Sequence, residues 1–202
     1  MLNSITLSFT EVVEPITLSE QTAGIPSILF INAQNKQTIQ DIIGPLRTFG
    51  VPAAAITDID ILKDGGNTWT GWLGASQVPE PLHLGLGQTR SAVHKLFTDS
   101  ELNMKECGVD GLRNIKDGAA ANDLFDKLAE YGIFVTRKGE LEKWLLTLGV
   151  KGKKTDWTVS MLKRLGDDPA QDDYVRPAIG DVWEFLRGIV EWVKNPARKG
   201  TI

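Results

Sequence analysis

The chain has 202 residues and a formal net charge of -4, with 42% hydrophobic and 24% charged residues. That length and composition fit one globular domain, or one domain with an appendage, and argue against a low-complexity or fibrous protein. No apolar run is long enough to span a bilayer, and the acidic balance gives no global signal for nucleic acid. The opening Met1-Leu2-Asn3-Ser4 lacks a basic segment followed by an apolar one, so no secretory signal is expected. One cysteine, Cys107, excludes an intrachain disulfide framework and fits a reducing cytoplasm. Two histidines, His83 and His94, are too few for a His-rich metal site.

In chain order, residues 1–27 are rich in Ser, Thr, Val and Ile and read as strand-forming. Ile28-Leu29-Phe30-Ile31 is an apolar strand candidate. Ile39, Ile42, Ile43 and Leu46 then recur at helical spacing, with Pro45 expected to kink or end the helix. The run Val51 to Ile56 leads through Thr57 into Asp58-Ile59-Asp60, the pattern of a buried parallel strand with carboxylates at its carboxyl end. Strand, helix and strand within about thirty residues form a βαβ unit. The Gly-, Pro- and Trp-rich stretch 64–88 reads as an excursion or insertion. Helices are expected over Ser91–Phe97 and Ala119–Tyr131, the latter closed by Gly132. Ile133-Phe134-Val135 reads as a further buried strand. Helices follow from about Glu140 to Leu148, from a cap at Thr155 or Asp156 to Leu165, and from Gly180 to Lys194. The last has a broad apolar face suited to the sheet or to a partner.

The chemistry-bearing residues are acids at strand ends. In open α/β sheets ligands bind beyond the carboxyl ends of the strands. Asp58 and Asp60 lie there, and Glu140 and Glu142 follow a second apolar strand. Carboxylates of two parallel strands converging on one edge would hold Mg²⁺ or Mn²⁺ and activate water. The bland alternative is a turn or helix N-terminus that favours acids. Between Arg137 and Arg164 there are eight basic residues against three acidic ones. Within that window Lys153 or Lys154 is a candidate for offsetting charge at a phosphate. Lys151, Lys153, Lys154, Lys163 and Arg164 are candidates for contact with a DNA backbone. Gly149 to Thr155 is not a P-loop: Thr147 stands where the first glycine belongs, and Lys154 stands where Ser or Thr must follow the lysine.

This order of elements resembles the TOPRIM domain of the OLD (overcoming lysogenization defect) family of ATPase-coupled endonucleases. The residues carrying the likeness are Asn35-Lys36-Gln37-Thr38, Leu46 to Pro52, Ile56 to Asp60, Gly132 to Val135 and Gly139 to Glu142, followed by the basic turn and helix. The resemblance covers residues 28–165. Residues 1–27 would be an extension or a partial first strand, and 166–202 a C-terminal helical appendage. It implies an α/β fold with a Rossmann-like parallel sheet flanked by helices, and metal-dependent phosphodiester hydrolysis. It implies Mg²⁺ or Mn²⁺ on Asp58 and Asp60 with Glu142 or Glu140, and Lys154 or Lys153 near the scissile phosphate. DNA and an ATPase domain or subunit supplied elsewhere would be the partners, with a homodimer through 180–194 also open. The chain departs from the family at the first strand. There Val12-Val13-Glu14-Pro15 has Pro15 in place of glycine, and Leu18 stands where an acid is expected. A catalytically weak interaction domain docking on an ATPase partner is the second expectation. A phosphoryl-accepting Asp58, as in response-regulator-like or haloacid-dehalogenase-like sites, is the third.

Overall fold

The computed structural model describes residues 29, 31, 33, 35–150, 154–166, 171, 172, 174, 175 and 180–201, the side chains of 141, 142, 147, 154, 155, 158, 162 and 181 excepted. The expected strand over residues 1–27 lies outside them. The fold is mixed α/β, mostly helical, with a two-stranded parallel sheet. It divides into two compact units, Asn35–Lys143 with Gly188–Ile202, and Met1–Gln34 with Trp144–Arg187.

The first unit opens on helix α1, Lys36–Thr48. Asn35 caps it, its side chain accepting from the Thr38 amide at 3.0 Å. Ile39, Ile43 and Arg47, spaced four apart, share the buried face. Pro45 lies inside this helix, which continues to Thr48. The proline is on the exposed side of the helix. Strand β1 is only Ala55–Thr57, shorter than the apolar run that announces it. It pairs in parallel with β2, Ile133–Val135, in the register Ala55 to Ile133, Ile56 to Phe134 and Thr57 to Val135. Of the expected strand at 28–31, Ile28 and Phe30 lie outside the described residues. Leu29 and Ile31 are in no strand and are exposed.

Between the strands, a 3₁₀ turn at Ile59–Lys63 buries Ile59, Ile61 and Leu62 completely. Helices α2, Gly66–Ala75, and α3, Glu80–Asp99, take up the stretch read as an insertion. Trp69, Trp72 and Leu73 on α2 and Leu86, Val93 and Phe97 on α3 are core residues, so this stretch is part of the packed unit. Helix α4 is Met104–Cys107, followed by a 3₁₀ turn at Gly108–Leu112. Helix α5, Ala120–Glu130, buries Ala121, Leu124, Phe125 and Leu128 against β2 and α3. Gly132, at φ +69°, turns the chain into β2, and a Cβ there would strike the Trp192 ring.

In the second unit, α6, Leu141–Trp144, ends where the unit begins. A 3₁₀ turn at Leu146–Leu148 is closed by the left-handed Gly149. Helix α7, Lys154–Leu165, starts one residue before the expected caps and buries Trp157, Met161 and Leu165 at a spacing of four. Trp144 packs edge-on against Phe185 at 5.1 Å. Helix α8, Asp181–Lys194, passes from this unit into the first. Its Leu186, Ile189 and Trp192 are buried, and Val182, Trp183, Val190 and Val193 are half-buried. Among the described residues no helix is long and apolar enough to cross a membrane.

The first unit is organised around Arg47, whose side chain is fully buried. Its Nε donates to the Ala53 carbonyl at 2.9 Å. Nη1 donates to Tyr131 at 2.7 Å, Ser76 at 3.0 Å and Gly200 at 3.1 Å, and Nη2 to Gly132 at 3.2 Å. All five acceptors are main-chain oxygens. Ser76 and Tyr131 are the C-caps of α2 and α5, and Arg47 itself is in the last turn of α1. Helix C-termini carry partial negative charge, so two of them meet one cation. The guanidinium lies 5.1 Å over the Trp192 ring. Burial lowers its pKa to about 10, which leaves it charged at neutral pH. Replacing Arg47 with Met strands these carbonyls. By analogy with breaking a buried pair it is expected to cost about 3–5 kcal/mol in urea denaturation. Arg47→Lys is expected to recover less than half of that, because one ammonium has three donors and no planar fork.

Candidate functional site

The parallel register brings the carboxyl ends of β1 and β2 side by side, and the Thr136 amide donates to the Thr57 carbonyl at 3.0 Å just past them. From β1 the chain enters Asp58, whose carbonyl accepts from the Ile61 amide at 3.1 Å to start the 3₁₀ turn. Asp58 is half-buried, and its carboxylate does not cap that turn. Asp60 lies within the turn and Asp64 just after it. From β2 the chain runs through Thr136 to Glu140, closed by the Thr136 hydroxyl donating to the Gly139 carbonyl at 3.1 Å.

Asp60 and Glu140 are therefore neighbours across the strand ends, and lysines stand between the acids. The Lys105 ammonium is 3.6 Å from Asp60 Oδ2 and 3.6 Å from Glu140 Oε1. The Lys36 ammonium is 2.8 Å from Asp64 Oδ1 and 3.6 Å from Asp60 Oδ1, and it donates to the Asp60 carbonyl at 3.2 Å. Asp64 Oδ2 also accepts from Trp72 Nε1 at 3.3 Å. The five charged side chains expose between 9% and 30% of their surface, so solvent screens them less than it screens ordinary surface pairs.

Main-chain contacts fix this rim. The Glu140 amide donates to the Lys105 carbonyl at 2.8 Å, and the Val109 amide to the Arg137 carbonyl at 2.8 Å. Gly139, at φ +90°, lies so near the Lys105 carbonyl that a Cβ would overlap it. Outside the rim, Lys138 meets Asp110 at 2.6 Å, and that hydrogen bond holds the Asp110 carboxyl below its ordinary value.

Of the residues singled out by sequence, Asp58, Asp60 and Glu140 are thus gathered at one edge. Glu142 is in α6, and its side chain lies outside the described residues, as do Lys151 and Lys153 entirely. Lys154 begins α7, with its side chain likewise outside them. Lys163 and Arg164 are exposed in the last turn of α7, in the second unit. Trp157 is buried rather than presented to a ligand. His94 is held below its ordinary pKa by burial and by Arg90 and Lys63. Cys107 is half-buried, its thiol pushed up by burial and donating to the Asn103 carbonyl at 3.2 Å, the state of an unreactive cysteine.

Sequence reasoning missed Lys36, Lys105, Asp64 and Arg47. Lys36 did carry a signal. It is the first residue of a helix with no acid in its first turn, at the end where the helix dipole disfavours a cation. Such a placement calls for carboxylates elsewhere in the fold.

A resident Mg²⁺ or Mn²⁺ needs several oxygen ligands free of other cations. Among the described residues no three His, Cys, Asp or Glu side chains are grouped to hold a metal ion. The two carboxylate oxygens of Asp60 face different ammonium groups. The described donor set does not fit a divalent cation. The chain matches no protein-family model, no curated protein and no solved structure.

Gly139→Ala forces both a disfavoured φ and an overlap with the Lys105 carbonyl, with an expected cost of at least about 2 kcal/mol. Gly66→Ala, where φ is +53° and a Cβ meets nothing within 4 Å, is expected to cost about 1 kcal/mol. Urea midpoints of the two variants measure the difference.

Proposed function

We propose that this chain is a TOPRIM-like interaction domain, catalytically weak, that docks on an ATPase subunit supplied elsewhere. The TOPRIM-like assignment, with its Rossmann-like sheet, rests on the order of elements and on the parallel pairing of β1 and β2. The observation that carries the catalytic weakness is the pairing of Asp60, Asp64 and Glu140 with Lys36 and Lys105. Acids held this way stabilise the fold, and their oxygens face ammonium groups rather than a shared metal.

The second reading is a divalent-metal-dependent DNA endonuclease or nickase. One observation favours it: β1 and β2 end in register, so Asp58, Asp60 and Glu140 share an edge. In that reading Glu142 completes the acid set, Lys153 or Lys154 serves the scissile phosphate, and Lys151, Lys163 and Arg164 hold the DNA backbone.

Nicking of supercoiled plasmid with Mg²⁺ or Mn²⁺ separates the two. The interaction-domain reading expects no cleavage above that of an Asp58→Ala/Asp60→Ala variant. Metal-dependent nicking by the wild type that this variant loses overturns it in favour of the nuclease.

A further inference from the structure

We infer that the strand-end rim is a metal-free ion-pair lock, in which Lys36 and Lys105 supply the positive charge that joins its carboxylates. Three carboxylates meet two ammonium groups there. Lys105 bridges Asp60 and Glu140, and Lys36 bridges Asp60 and Asp64. Each ammonium does what a shared cation does in a carboxylate cluster, joining oxygens that would otherwise repel.

Both lysines are placed in the first turn of an asparagine-capped helix. Lys36 sits at the first position of α1, where its charge opposes the helix dipole and is offset by the acids of the 59–64 segment. Lys105 is set by Asn103, whose side chain accepts from the Lys105 amide at 3.2 Å. Its carbonyl takes the Glu140 amide at 2.8 Å, and Gly139 provides the clearance for that approach. Lys105 therefore holds Glu140 through main chain and side chain together. The lock ties α1, the 59–63 turn, α4 and the segment after β2 to one point.

The inference deepens the interaction-domain reading, and the two fail separately. Mn²⁺ capture without nicking overturns the inference alone, whereas nicking overturns the reading.

The test uses the Trp72 indole N–H, which donates to Asp64 Oδ2, as a reporter at the lock. Its ¹⁵N–¹H resonance, assigned through Trp72→Phe, is followed during titration with Mn²⁺. In the wild type no saturable broadening selective for Trp72 is expected into the millimolar range. In Lys36→Met/Lys105→Met, selective broadening is expected at Mn²⁺ concentrations about tenfold or more lower. Lys105→Met alone gives the same comparison for the Asp60 and Glu140 pair should the double variant not fold. Selective, saturable broadening in the wild type at micromolar Mn²⁺ overturns the inference. So do folded lysine variants that bind Mn²⁺ no better than the wild type.

Discussion

A single guanidinium, buried among main-chain oxygens, sets the arrangement of the larger unit. Arg47 binds carbonyls from the loop before β1, the C-caps of α2 and α5, the residue before β2 and the chain near its end. An isolated buried charge is costly. Here the cost is offset by oxygens at helix C-termini and by the Trp192 face rather than by a carboxylate. Trp192 is fixed in turn by its own indole donating to the Glu130 carbonyl at 3.1 Å and by Arg198 on α8's trailing segment, whose Nε donates to the Trp192 carbonyl at 3.1 Å. The final turn of the chain is thereby drawn into the core.

The same logic recurs at the opposite end of the sheet. Among the described residues the sheet has two strands of three residues each, which form few ladder hydrogen bonds, so cations at its ends add to their support. Arg47 clamps the amino ends through Ala53 and Gly132. Lys105 and Lys36 clamp the segments leaving the carboxyl ends through Asp60, Asp64 and Glu140. Cations at both ends hold the register that brings the acids together. The rim is then better described as part of the scaffold than as an open ligand site.

How much of this was readable from sequence depended on the range of the interaction. Helix α5, its Gly132 turn and β2 follow from local spacing and were legible. So was the common edge of Asp60 and Glu140, because parallel strands end on the same side. The helices within the stretch 64–88 were not legible, because its glycines and prolines mark helix boundaries: Gly65 and Gly66 open α2, and Pro79 and Pro81 open α3. Pro45 does not end its helix, which runs one turn further to Thr48 with the proline on the exposed side. Arg47 was invisible for a deeper reason. Its four-residue spacing from Ile43 puts it on the core face, yet nothing local reveals that carbonyls 29, 84 and 153 residues away will receive it.

Hydrogen exchange of the Arg47 side-chain protons, followed by ¹⁵N NMR, tests this most directly. If the guanidinium is the buried hub, its Nε–H should exchange only as the whole unit unfolds, at the rate of the best-protected amides of α5 and β2. Exchange of that proton as fast as from the exposed Arg113 would contradict it.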